Sequence, residues 1–402
     1  WTLPSNTALT VGPKIDYVLV HTFNQYTYEP IRVILAKTLV EKQFSELYEM
    51  VVTISDLKNY PKGTKKIPFF IEKEIKGTDL IDLRYEKIWR EAPSPIDNPE
   101  NAYRVIPGDF VTTEDGTGIV HTAPTFGADD AKVAKEASPE VPALLVLDEN
   151  NNKVPLVDLQ GKFRPEMGSL AGQYVKNEYY EEGKAPKKSI DVQIAIRLKE
   201  ENAAFKVEKY VHSYPNCWRT EKPILYYPLD SWFIKVSEFR DRLTALNEEI
   251  NWKPKSTGEG RFGNWLANTN NWNLSRSRFW GIPLPIWQTE GGKETKVIGS
   301  VLELYEEIEK SIEKGHMTSN PLSGFEVGDM SDSNYEKVDL HKHIVDNIVL
   351  TSARGTPMYR EKDLIDVWFD SGSMPYAQWH YPFENKDKID LGTAFPADFI
   401  AE

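Results

Sequence analysis

Between residues 7 and about 75, short β-branched runs alternate with polar breaks. Tyr17-Val18-Leu19-Val20-His21 and Ile31-Arg32-Val33-Ile34-Leu35-Ala36 read as strands, and Val51-Val52-Thr53-Ile54 as a third. Thr38 to Tyr48 carries helical spacing instead. Runs this short and irregular predict a barrel-like β domain with small helices. Pro93, Pro95 and Pro99 mark a loop. Beyond it lies Gly116-Thr117-Gly118-Ile119-Val120-His121-Thr122-Ala123-Pro124-Thr125-Phe126-Gly127-Ala128-Asp129-Asp130, the stretch that organises the chain. It extends through Ile119-Val120, breaks at Pro124 and restarts as a helix at Gly127. His121 then sits at a strand end and Asp130 in the first helical turn. Asp129 points about 100° away round the same helix. Leu144-Leu145-Val146-Leu147 is a further strand, Asp148 to Asn152 its turn, and Ser189 to Asn202 an amphipathic helix. A domain boundary follows near residue 208.

The second half has another texture. Tyr227 to Ile234 reads as a strand, and Val236 to Ile250 as a helix with Phe239, Leu243 and Leu246 on one face. Trp280-Gly281-Ile282-Pro283-Leu284-Pro285-Ile286-Trp287 is stiff and apolar. Its two prolines favour an edge or merely extended segment over a central strand. Residues 289 to about 362 form a charged insertion holding a helix from Val301 to Lys314, and Asp366 to Ser373 follows it. The fold class is α/β, with a β-barrel-like domain over 1–208 and a second domain over 209–402.

Composition narrows the classes. A chain of 402 residues accommodates two or three domains with a sizeable core. Its 40% apolar and 27% charged residues are those of an ordinary soluble protein. No apolar run is long enough to span a membrane and no signal peptide is visible, so the expected location is cytoplasmic, without a membrane partner. The single cysteine, Cys217, excludes intramolecular disulfides and any site built from several cysteines. A net charge of −13 argues against a generally basic nucleic-acid surface. Local candidates for phosphate contacts are Lys184-Ala185-Pro186-Lys187-Lys188 and the group Lys253, Lys255 and Arg261, although a solvated face explains each as well. Eleven Trp and nineteen Tyr also suit a glycan-binding module with an exposed aromatic platform. Taken alone, His121 is an ordinary strand-end histidine and Asp130 an ordinary helix-start carboxylate, a cap or a dipole partner.

Four separated motifs change that picture. Trp1-Thr2-Leu3-Pro4-Ser5-Asn6 resembles the end of the threonine-rich peptide in the editing domain of isoleucyl-tRNA synthetases. Gly116 to Asp130 resembles the opposite wall of that editing pocket. Trp272-Asn273-Leu274-Ser275-Arg276-Ser277-Arg278-Phe279-Trp280-Gly281-Ile282-Pro283-Leu284-Pro285 resembles the segment of class I synthetases that re-enters the catalytic core. Asp366-Val367-Trp368-Phe369-Asp370-Ser371-Gly372 resembles the next core element. The resemblance spans essentially the whole chain, and Gly372-Ser373-Met374-Pro375-Tyr376-Ala377 looks like the eukaryote-like branch.

The resemblance implies an editing domain followed by part of a class I, Rossmann-type catalytic domain. It implies an isoleucine–tRNA ligase that uses ATP and Mg²⁺, with tRNA(Ile), isoleucine, valine and their adenylates as partners. The editing site implied consists of Thr2, Asn6, His121 and Asp130. Asp130 would hold the substrate ammonium and His121 would exclude the larger side chain. Trp280 and Glu402 would bind near the adenylate pocket. For Trp280 and Trp368 core packing is the competing expectation. Arg276 and Arg278 would contact tRNA phosphates or form local ion pairs. Three departures accompany the resemblance. His-Ile-Gly-His and Lys-Met-Ser-Lys-Ser, the family's ATP signatures, do not occur in this sequence, so the chain alone is expected to bind no ATP. The Thr-Thr-Pro expected before Trp1 is not in it either, so at most weak editing is expected of the chain alone. Thr220 stands where many relatives carry a second cysteine, and one thiolate does not make a zinc site, so no metal is expected.

Overall fold

The computed structural model describes residues 1–60 and 66–399, so Glu402 lies outside the described residues. Two compact units are present, Trp1–Leu229 and Asp230–Glu402. Among the described residues no helix is long and apolar enough to cross a membrane.

The first unit holds β1 (Ala8–Val11), β2 (Asp16–Phe23), β3 (Pro30–Ala36), β4 (Tyr48–Met50), β5 (Ile67–Lys76), β6 (Arg104–Pro107), β7 (Ile119–Thr122), β8 (Leu145–Leu147) and β9 (Lys153–Pro155). They form a four-stranded sheet β3-β2-β5-β4, a three-stranded sheet β6-β1-β7 and the pair β8-β9. The barrel-like expectation is therefore corrected, since the described strands close no barrel and every sheet keeps two edges. The cause is local: β4 is only three residues long and runs parallel to β5, which leaves nothing to continue the curl. The apolar run of β2 sets that strand in place. Tyr17, Val18 and Val20 are buried in one core cluster with Leu35, Phe44 and Phe69. Leu19 and His21, between and beyond them, are only partly covered, as alternation along a strand leads one to expect.

Two elements differ from expectation. The third strand stops at Met50, before Val51-Val52-Thr53-Ile54, and a 3₁₀ segment starts at Ile54. The Asp56 carboxylate accepts the Thr53 N–H at 3.0 Å, so a polar cap overrides the β-branched run. The helix expected over 38–48 shrinks to a 3₁₀ turn and Val40–Gln43. By contrast, the helices Ala128–Glu136 and Ile190–Glu200 lie where the pattern placed them. Ser189 caps the second through the Val192 N–H. Residues after 208 still belong to this unit: Tyr179 Oη donates to the Pro223 carbonyl at 2.5 Å and Tyr227 Oη to that of Val157 at 2.8 Å.

The second unit contains β10 (Phe233–Ile234), β11 (Trp272–Asn273), β12 (Ser275–Arg276), β13 (Ile286–Thr289), β14 (Thr295–Val297), β15 (Val349–Thr351), β16 (Pro357–Arg360) and β17 (Leu364–Ile365). All its described pairings are antiparallel, so the parallel layer of a Rossmann-type core is not formed by them. Most of its sheet, β14-β13-β16-β15, comes from the 289–362 insertion, and the helix Val301–Glu313 packs Leu304 and Ile308 onto Trp287, Leu350 and Met358. The prolines of 280–287 do not make an edge strand. They precede a central one: β13 begins at Ile286, just past Pro285. The strand expected over 227–234 reduces to Phe233–Ile234. Phe239 and Leu246 of the next helix are exposed rather than facing a core.

Candidate active site around His121

Left-handed glycines set the approach to β7. Gly116 and Gly118 have φ of +69° and +73°, and a Cβ on Gly118 would come within 2.6 Å of the Ala36 Cβ. Tyr17 Oη donates to the Gly118 carbonyl at 2.6 Å and fixes the turn. From there β7 pairs antiparallel with β1, with His121 opposite Leu9. The chain just before β1 forms a 3₁₀ turn over Leu3–Ser5, and its last residue leads into buried Asn6. This turn sets Thr2 and Asn6 on either side of the imidazole.

The contacts define the ring's protonation. Thr2 Oγ1 lies 3.1 Å from His121 Nε2, and Asn6 Nδ2 lies 3.1 Å from Nδ1. The Asn6 amide has one sensible orientation, because Nδ2 donates to the Ala8 carbonyl at 2.7 Å and Oδ1 accepts from Tyr85 Oη at 2.6 Å. An amide nitrogen only donates, so Nδ1 is the acceptor and the ring proton sits on Nε2, donated to Thr2 Oγ1. Burial lowers the His121 pKa to about 4. The ring is therefore neutral at neutral pH, and the Thr2 hydroxyl keeps its own proton to donate elsewhere.

Asp130 is positioned by a second device. Phe126 N–H bonds back to the Ala123 carbonyl at 2.9 Å, Gly127 leads into the helix, and Asp130 Oδ2 accepts the Ala123 N–H at 2.8 Å. Val133 and Ala134 seat that helix on Ala8 of β1 and Ile106 of β6. Asp129 is exposed while Asp130 is half-buried, as the helical phase requires. Burial raises the Asp130 pKa, and the Ala123 N–H partly offsets this. The hydrogen bonds thus join Thr2, Asn6 and His121 into one network and tie Asp130 to Ala123, two residues beyond His121. Tyr85 enters the network without any motif having pointed to it.

The other predicted positions are not part of this network. Trp280 is 67% exposed and stacks on His341 with centroids 4.3 Å apart, and Trp368 is 64% exposed, so neither is a core residue. Gly281, beside Trp280, borders an apolar cleft of about 750 Å³ within the second unit, formed with Leu304, Tyr335 and Phe383. Arg276 forms a local ion pair with Asp366 and bonds to the Asn273 carbonyl. Trp218 is exposed as well, under the Arg219 guanidinium, and Trp265 beside Phe262. Trp218, Trp265 and Trp280 thus each have a different ring or guanidinium as neighbour. Among the described residues no three or more His, Cys, Asp or Glu side chains are grouped to hold a metal ion.

A neutral imidazole donating to a threonine, with a half-buried carboxylate bonded to the backbone two residues further on, suits recognition of a hydroxyl and an ammonium. It offers no activated nucleophile. Residues 36–402 match the family described as tRNA synthetases class I (I, L, M and V), and the chain belongs to that family. Within it, the chain is 53% identical over 421 residues to an isoleucine–tRNA ligase of Bacteroides fragilis, covering 100% of this chain and 36% of that protein. It is 54% identical over 413 residues to the isoleucine–tRNA ligase of Cytophaga hutchinsonii, covering 100% and 35%. It is 38% identical over 404 residues to that of Clostridium tetani, covering 100% and 31%. The chain thus spans about a third of the length of the curated relatives it matches. These relatives are bacterial and lend no support to a eukaryote-like branch.

Proposed function

We propose that this chain carries the editing site of an isoleucine–tRNA ligase, and that residues 1–208 form the editing domain and 209–402 part of the catalytic one, with the lead-in 209–229 packed back onto the first unit. The reaction is hydrolysis of the valyl ester on tRNA(Ile), or of valyl adenylate. The whole ligase then uses ATP and Mg²⁺ in the cytoplasm to charge tRNA(Ile) with isoleucine, with Trp280 and Glu402 near its adenylate pocket.

The need for such a site is energetic. One methylene is worth only about 1–3 kcal/mol of discrimination in an apolar pocket, isoleucine against valine being the standard instance. A second site that rejects isoleucine by size supplies the rest. The observation that carries the reading is the Thr2–His121–Asn6 network, in which a neutral ring is held from both sides. Its rigidity suits a steric wall. Asp130 offers its second carboxylate oxygen to the substrate ammonium, and the Thr2 hydroxyl and Asn6 orient the ester. With no nucleophilic side chain activated, a positioned water attacks the ester carbon, the tRNA ribose oxygen leaves, and free valine is released.

The test is His121→Ala in the longer protein. The enlarged pocket should begin to hydrolyse isoleucyl-tRNA(Ile) while still accepting the valyl ester. Loss of activity toward both esters would contradict the steric role.

A further inference from the structure

Tyr85 is joined to Asn6 across 79 residues of chain by a bond of 2.6 Å, shorter than any other contact in the His121 network. It is not a loosely hung side chain. Its backbone N–H bonds to the Tyr103 carbonyl at 3.0 Å, its ring meets that of Tyr103 edge-on at 6.2 Å, and the preceding Arg84 bridges to Arg104 of β6. Since β6 pairs with β1, the phenol and the His121 strand hang from one three-stranded sheet. Burial raises the Tyr85 pKa, so the phenol stays protonated and donating.

We propose that Tyr85 is a positioning residue of the editing site, acting on His121 only through Asn6; this rests on the editing reading above. Asn6 is buried, and its Oδ1 has Tyr85 as its hydrogen-bond donor. A buried acceptor left without a donor is costly, so without the phenol the amide leaves its pose to find a partner. His121 Nδ1 then loses the N–H that favours the neutral ring, and the wall of the pocket loses one of its two supports. Sequence motifs miss this residue because its role exists only through the sheet.

A double-mutant cycle tests the proposal in the longer protein, by single-turnover hydrolysis of valyl-tRNA(Ile). Tyr85→Phe should slow hydrolysis about tenfold, the weight of one such hydrogen bond. Asn6→Ala should slow it at least as much, and the double variant should be no slower than Asn6→Ala alone. Effects that multiply would overturn the proposal, because Tyr85 would then act independently of Asn6. A second readout needs no tRNA: the ring nitrogen resonances of His121, by NMR of this chain at neutral pH. Wild type should show the proton on Nε2 with Nδ1 accepting from Asn6, and both Tyr85→Phe and Asn6→Ala should shift the Nδ1 resonance because that nitrogen loses its donor. Tyr103→Phe, a hydroxyl deletion next door, should leave that resonance unchanged. A Tyr85→Phe Nδ1 resonance equal to wild type overturns the proposal whatever the editing rate. A shifted resonance in a protein that does not edit would sink the editing reading and leave the Tyr85–Asn6–His121 linkage standing.

Discussion

Acidification should cost this chain stability through one buried ring. Folded His121 titrates near 4, against an ordinary value of 6.5. The folded state therefore binds this proton less tightly than the unfolded state does. The stability involved is complete above 6.5 and drains away as the pH falls toward 4. Each pH unit of that gap is worth about 1.4 kcal/mol. By about pH 4.5, most of two units has been crossed, or about 2.5 kcal/mol. Solvent reaching the partly covered ring trims this to about 2 kcal/mol. The perturbation is His121→Gln, which keeps a polar side chain and removes the titration. Urea unfolding followed by circular dichroism at neutral pH and at about pH 4.5 measures the difference. Other groups titrate equally in both proteins, so the wild type should lose about 2 kcal/mol more than the variant. Parallel losses would refute the reasoning, because the ring would then be no harder to protonate folded than unfolded.

Asp130 gives the opposite sign. Its folded pKa is raised by burial, so its contribution is present at low pH and lost as the pH rises through the folded value. Asp130→Asn keeps an acceptor for the Ala123 N–H and removes the buried charge; its melting temperature at neutral pH should equal or exceed wild type while editing is lost, and a fall of several degrees would contradict this. Gly118→Ala should destabilise the first unit by about 1–2 kcal/mol for the left-handed backbone alone, with more from the clash on Ala36, in thermal melts; an unchanged midpoint would show that the turn is not held as described.

The strand, loop and helix around His121 were legible because every signal there is local. Two glycines, a β-branched pair, Pro124 and Gly127 each constrain their own backbone, and helical phase alone separates Asp130 from Asp129. Other features depend on distant partners. The barrel expectation failed because closure is decided by which strands pair, and no pattern along one strand tells that the four-stranded sheet ends at the short β4. Val51-Val52-Thr53-Ile54 had the composition of a strand, but Asp56 offered its backbone a better bond. Apolar composition also suggested that Trp280 and Trp368 were core, whereas both stand largely in solvent. Tyr85 carried no sequence signal at all, since what distinguishes it is a hydroxyl placed by a sheet 79 residues from its partner.

The central claim is the proposal that the site at His121 removes valine and spares isoleucine. Valyl-tRNA(Ile) and isoleucyl-tRNA(Ile), presented to this chain in parallel single-turnover reactions, test it most directly. The account predicts that the valyl ester is hydrolysed, slowly but above the rate in buffer, that the isoleucyl ester is spared, and that Asp130→Ala abolishes the difference. Equal rates for the two esters, or a valyl rate no higher than in buffer both for this chain and for the longer protein, would contradict it.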